Sequence, residues 1–270
     1  MNCAPAAALA AGLWLVSTAA VGAAPPVIAV VIDDLGNSFA DGKRVAALPG
    51  PVACAILPHT QHARQIADLA YANKKEVLLH LPMQAEGDLP QSPGTVTLDM
   101  TEQEIKDTVA AAIAAVPHVV GVNNHEGSLI TRHPGDMAWI MQALHQAGPL
   151  FYLDSFTDAD SVAYQVAREQ GVPAARRNVF LDDVATDEAV REQWRRLLAL
   201  ARKHGFALAI GHPKGVTLRV LEDVLSRLDE EKVVLVPVGR IVELQAAYPM
   251  AWPASNSAPS AADAHLRNRS

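Results

Sequence analysis

Six apolar runs in this sequence end in side chains capable of acid–base or metal chemistry. The ends are Asp33-Asp34, His80, Asn123-Asn124-His125, Asp154-Ser155, Asp182-Asp183 and His212. Two histidines with one carboxylate and an open position make a recognised catalytic zinc set. Asp34, His80 and His125 could form one. A metal lowers the pKa of its water toward neutrality and polarises a carbonyl. A second carboxylate beside it could then serve as general base, and Asp33 is the candidate. His212 could protonate a leaving group. Adjacent strand residues point to opposite faces, so Asp33 and Asp34 cannot both face inward on a regular strand. The turn at Gly36 is expected to reorient one of them.

Plainer roles account for other polar residues. His59 and His62 form an HxxH after "ILP" that reads as a surface turn. Asp182-Asp183, followed by "VATDEA", reads as a solvated helix entry. Asn123 and Asn124 are suited to satisfying backbone groups where a strand stops. Cys54 lies in an apolar run and reads as a buried, inert thiol.

These residues need elements that bring them to one place. β-type runs fall at 27–32, 52–57, 76–81, 119–123, 150–154, 178–182, 207–211 and 233–238, and helical patterns at 60–73, 101–116, 134–147, 159–170, 187–204 and 215–229. Continuously apolar strands are buried on both faces, which means a parallel sheet under helices. Seven or eight such units predict an α/β fold, a distorted (β/α) barrel, with an open doubly wound sheet as the alternative. In either, the strand C-termini share one mouth. The irregular segment 83–100 is long enough to suggest a functional loop.

The formal net charge of −7 argues against a nucleic-acid-binding surface. Residues 1–23 carry no charged side chain, and "VGAA" at 21–24 offers a cleavage site after Ala23, so they are expected to be a signal peptide and the protein periplasmic or secreted. That leaves no stable membrane span after cleavage. Residues 24–248 are expected to form one domain and 249–270 a poorly ordered tail.

The motifs "VIAVVIDDLGNS", "AILPHTQHA", "EVLLHLPMQ", "GVNNHEGSLIT", "FYLDSFT" and "AIGHPKGVTL" occur in order along residues 26–246. Together they resemble the divergent polysaccharide deacetylases of the NodB-like carbohydrate esterase superfamily. The resemblance implies a distorted barrel, a divalent metal that is usually zinc, and removal of acetyl groups from an N- or O-acetylated saccharide. It implies Asp33 as general base, Asp34, His80 and His125 as metal ligands, His212 as general acid, and Asp154 as the carboxylate that positions catalytic groups. The chain departs from the family pattern at Glu126, where Met is usual, and at Phe156, where a basic residue is usual. Those departures leave a second reading open: a non-catalytic protein binding a glycan or an envelope partner on the same scaffold. Another metal-dependent amide hydrolase is a third.

Overall fold

The computed structural model describes residues 24–87 and 90–248. The expected leader, 1–23, and tail, 249–270, lie outside the described residues. The strands are β1 (Val27–Leu35), β2 (Ala53–Ile56), β3 (Val77–Met83), β4 (Val119–Glu126), β5 (Phe151–Asp154), β6 (Ala174–Arg176), β7 (Val179–Phe180), β8 (Phe206–Gly211) and β9 (Val234–Leu235). The helices are α1 (Phe39–Ala46), α2 (Ala63–Ala72), α3 (Glu102–Ala115), α4 (Pro134–Ala147), α5 (Ala163–Glu169), α6 (Asp187–His204), α7 (Gly215–Ser226) and α8 (Val238–Ala247).

All the strand pairs are parallel, in the order β6-β5-β4-β3-β2-β1-β8-β7, with β9 beside the start of β1. The sheet curls as a distorted (β/α) barrel. Closure is incomplete, because β6 and β7 end the order on opposite sides and do not pair.

Strand alternation sorts the side chains onto two faces. Ile28, Val30, Ile32, Leu79, Val122, Tyr152 and Leu181 join a core with α1 to α7. Ala29, Val31, Leu78, Phe151, Leu153 and Ile210 form a second core on the inner face, where Val238, Ile241 and Val242 of α8 pack. Continuing the inner register past these residues reaches Asp33 on β1, His80 on β3, Asn123 and His125 on β4, and His212 after β8. The apolar parts of the strands therefore build the inner core, and their polar C-terminal residues line its mouth.

Two loops at the mouth are locked together. The Gly36 (φ +130°) carbonyl accepts from the His62 N–H at 2.9 Å, and a Cβ at Gly36 would lie 2.1 Å from Thr60 Oγ1. A Gly36→Ala substitution is expected to lower stability by about 1–3 kcal/mol through backbone strain and this clash, read as a lower urea midpoint. An unchanged midpoint would show that the two loops can part freely.

Candidate metal centre and flanking acid–base groups

β1 ends irregularly. Its pairing with β2 shifts register between Ile32 and Leu35, and Asp34 has φ +57°. Asp33 keeps the inner face by alternation, and the left-handed turn at Asp34 brings the second carboxylate round to the same place. The reorientation expected at Gly36 thus occurs at Asp34 itself, two residues earlier.

Three ligand atoms converge there. Asp34 Oδ1 lies 2.9 Å from His125 Nδ1 and 3.2 Å from His80 Nε2, and the two nitrogens are 3.2 Å apart. Ligands at about 2.0–2.2 Å around a tetrahedral zinc would be about 3.3 Å apart, so the spacing fits. Among the described residues, this is the one group of His, Cys, Asp and Glu side chains arranged to hold a metal ion. His59 and His62 take no part in it.

The hydrogen bonds around His80 support a cation at the centre. Its Nδ1 contacts Asn123 Oδ1 at 3.0 Å. Asn123 is oriented by its Nδ2, which donates to Asp33 Oδ1 (2.9 Å) and Ser155 Oγ (3.1 Å). Asn123 Oδ1 is an acceptor, so the His80 proton sits on Nδ1 and the Nε2 lone pair faces Asp34. Asp34 Oδ1 is buried without a hydrogen-bonded partner. A lone pair against an orphaned carboxylate oxygen is repulsive unless positive charge lies between them. The ionisation equilibria show the same demand for positive charge at this point, which a second proton on His80 would also meet. Burial opposes charge on both residues, yet the histidines hold the Asp34 carboxyl well below the usual range, and Asp33 and Asp34 raise the His80 pKa. The residues present fit a divalent metal.

Asp33, 3% exposed, flanks this group with Oδ2 3.6 Å from His80 Nε2. Burial raises its pKa against the opposing pull of His80 and His212, which suits a proton acceptor. His212 stands on the other flank, Nε2 3.7 Å from Asp34 Oδ2. Its Nδ1 contacts Asp182 Oδ1 at 2.9 Å. Asp182 Oδ2 accepts from the His212 N–H (2.8 Å) and from Thr217 Oγ1 (2.7 Å). Burial disfavours the His212 imidazolium, but Asp182, with Asp33 and Asp34, raises its pKa overall.

Asp182 is the buried partner of His212 and Thr217, not the solvated helix entry expected from its sequence. The missed signal is register: Phe180 pairs with Ile210, so two residues further along both strands Asp182 comes opposite His212.

Asp154 is placed elsewhere. It shares the outer face with Tyr152, and is fully buried. Its Oδ1 accepts from Phe156 N (2.8 Å), its Oδ2 accepts from Ser161 Oγ (3.0 Å), and Oδ2 lies 3.3 Å from Arg176 Nε. It shapes the turn after β5 and touches none of the residues around Asp34. Asn124, also facing outward, accepts from Ser155 N (2.9 Å) and Tyr152 OH (3.1 Å). Glu126 has φ +54°, so β4 stops there, and its carbonyl accepts from Asn124 Nδ2 and Thr157 Oγ1. Cys54 is a buried free thiol whose pKa burial pushes up to about 12.

Residues 30–242 match the family model described as divergent polysaccharide deacetylase. The uncharacterized protein YibQ of Escherichia coli K12 is 38% identical over 201 residues, covering 74% of this chain and 63% of that protein. The chain thus spans less than two thirds of that relative's length. An uncharacterized protein of Haemophilus influenzae is 37% identical over 214 residues, covering 79% of this chain and 76% of its own. Among solved structures, an uncharacterized protein of Agrobacterium tumefaciens C58 superimposes with a TM-score of 0.77 at 20% identity, covering 82% of this chain and 90% of the other. A mutant CE4 family pseudoenzyme with restored enzymatic activity gives 0.52 at 13% identity, covering 81% and 68%. These two likenesses concern the fold alone.

Proposed function

This chain belongs to the divergent polysaccharide deacetylase family, and from that premise we propose that it is a metal-dependent hydrolase that removes acetyl groups from a saccharide. The observation that carries the reading is the convergence of Asp34 Oδ1, His80 Nε2 and His125 Nδ1, with Asp33 and His212 on either flank. These three atoms would hold a divalent ion, zinc by ligand type. When bound, such an ion supplies Lewis acidity that activates water and polarises a carbonyl.

The chain's own groups account for the protons. Asp33, kept in place by Asn123, takes the proton of the attacking water. His212 as imidazolium donates from Nε2 to the leaving amine or alkoxide. Asp182 holds the ring by Nδ1 and stabilises its charge. The leader-like composition of residues 1–23 supports a periplasmic or secreted location, where acetylated glycans are the matching substrate class. No helix among the described residues is long and apolar enough to cross a membrane.

The test is acetate release from N- and O-acetylated saccharides by zinc-loaded protein, with and without a chelator. Asp33→Asn is expected to lower the rate by about 10²–10⁴-fold, the usual worth of a positioned general base, while zinc content is retained. Failure of zinc-loaded wild type to release acetate from any acetylated saccharide it binds would overturn the hydrolase reading and return the non-catalytic glycan-binding one.

A further inference from the structure

The open seam of the sheet lies between β6 and β7, and the chain crosses it in two residues, Arg177 and Asn178. Asn178 attaches to β8: its N–H donates to Leu208 O (2.9 Å), and its Oδ1 accepts from Leu208 N (2.7 Å). Arg177 reaches both sides. Its N–H donates to Asp154 O (3.0 Å). Its guanidinium donates through Nε to Ser155 O (2.6 Å) and through Nη2 to Phe156 O (2.7 Å). The same guanidinium lies 4.9 Å from the centre of the Phe180 ring, and that ring is 5.1 Å from the His212 ring.

Both ends of this bridge matter to the site. Phe156 has φ +53°, a conformation that a non-glycine residue keeps only when its surroundings hold it. Ser155, whose carbonyl Arg177 binds, accepts from Asn123 Nδ2 through its own hydroxyl. Asn123 in turn orients Asp33 and His80. On the other side, Phe180 forms one wall of the His212 ring.

We propose that Arg177 is a positioning residue that ties the two halves of the site together across the open seam. One path runs through Ser155 and Asn123 to Asp33 and His80, the other through Phe180 to His212. Arginine suits the task because its planar fork serves two carbonyls while its face stacks on an aromatic ring. Lysine has neither the fork nor the face.

The inference rests on the proposed hydrolase for its kinetic consequence, but its structural readout does not. Histidine ring spectra of the full chain would be compared for wild type, Arg177→Met and Arg177→Lys, with His212 assigned by its loss in His212→Asn. Both Arg177 variants are expected to keep the far-UV circular dichroism of the fold while moving the His212 and His80 ring signals. Acetate release should fall about 10–100-fold, the usual cost of losing an orienting partner, mainly in kcat. Free guanidinium should restore part of the rate of Arg177→Ala. Where Arg177→Met does not fold, Arg177→Lys carries the comparison. Unchanged ring signals in a folded variant would overturn the proposal. Moved ring signals in a protein whose wild type releases no acetate would support it and sink the hydrolase reading instead.

Discussion

Replacing His125 with alanine is expected to reduce bound zinc from about one ion per chain to a trace. Acetate release should fall by roughly 10³-fold or more. That magnitude follows from the several kcal/mol a metal contributes to a developing charge, at 1.36 kcal/mol for each factor of ten. His125 is half-buried at the mouth, one residue before the end of β4, so its loss should leave the fold intact. The remaining pair would still contain His80, oriented by Asn123, but two ligands do not make a closed face for the ion. Elemental analysis and circular dichroism on the same sample separate metal loss from unfolding. Zinc retained at wild-type stoichiometry in a folded His125→Ala protein would remove His125 from the ligand set.

Asp182→Asn is expected to lower kcat/KM by about 10²-fold or more, within the range a general acid contributes. The carboxylate accepts from three donors: the His212 ring, the His212 N–H and Thr217 Oγ1. An amide in its place sets its own N–H groups against one of them whichever way it turns. The pH profile adds a sign. In the proposed reaction His212 acts in its protonated form, so activity is expected to fall as pH rises through its pKa. Burial lowers that pKa, and Asp182 is foremost among the carboxylates that raise it above the ordinary histidine value. Removing the Asp182 charge lowers the pKa and moves the alkaline limb to lower pH. An alkaline limb that stays in place would show that His212 is not the acid or that Asp182 does not govern it.

Much of this site was legible from strand ends. Asp33, Asp34, His80, His125 and His212 each follow an apolar run, and a parallel sheet delivers all such ends to one mouth. What the sequence hid has physical causes. Strand alternation puts Asp154 on the face of Tyr152, away from the mouth, and the motif "LDS" gives no sign of that. Asp182 needed the β7–β8 register, which no local pattern encodes. α1 leaves no clear sequence pattern because Gly42 interrupts a short helix. The structure needs that glycine, since a Cβ there would lie 2.6 Å from the Ile66 side chain of α2. The stretch 233–238 reads as a single strand, but only Val234–Leu235 pair, and Pro237 is the N-cap of α8, which begins at Val238. β6 has three residues, too few for a periodic signal. Alternation alone does not say which way Glu126 points, and its left-handed φ shows that the strand has already ended there.

Everything proposed for the site depends on Asp34, His80 and His125 holding one divalent ion. An anomalous difference map at the zinc edge, from crystals of zinc-loaded protein, tests it most directly. One strong peak is expected about 2.0–2.2 Å from Asp34 Oδ1, His80 Nε2 and His125 Nδ1. A zinc-loaded crystal with its peak elsewhere, or with none among these three atoms, would contradict it.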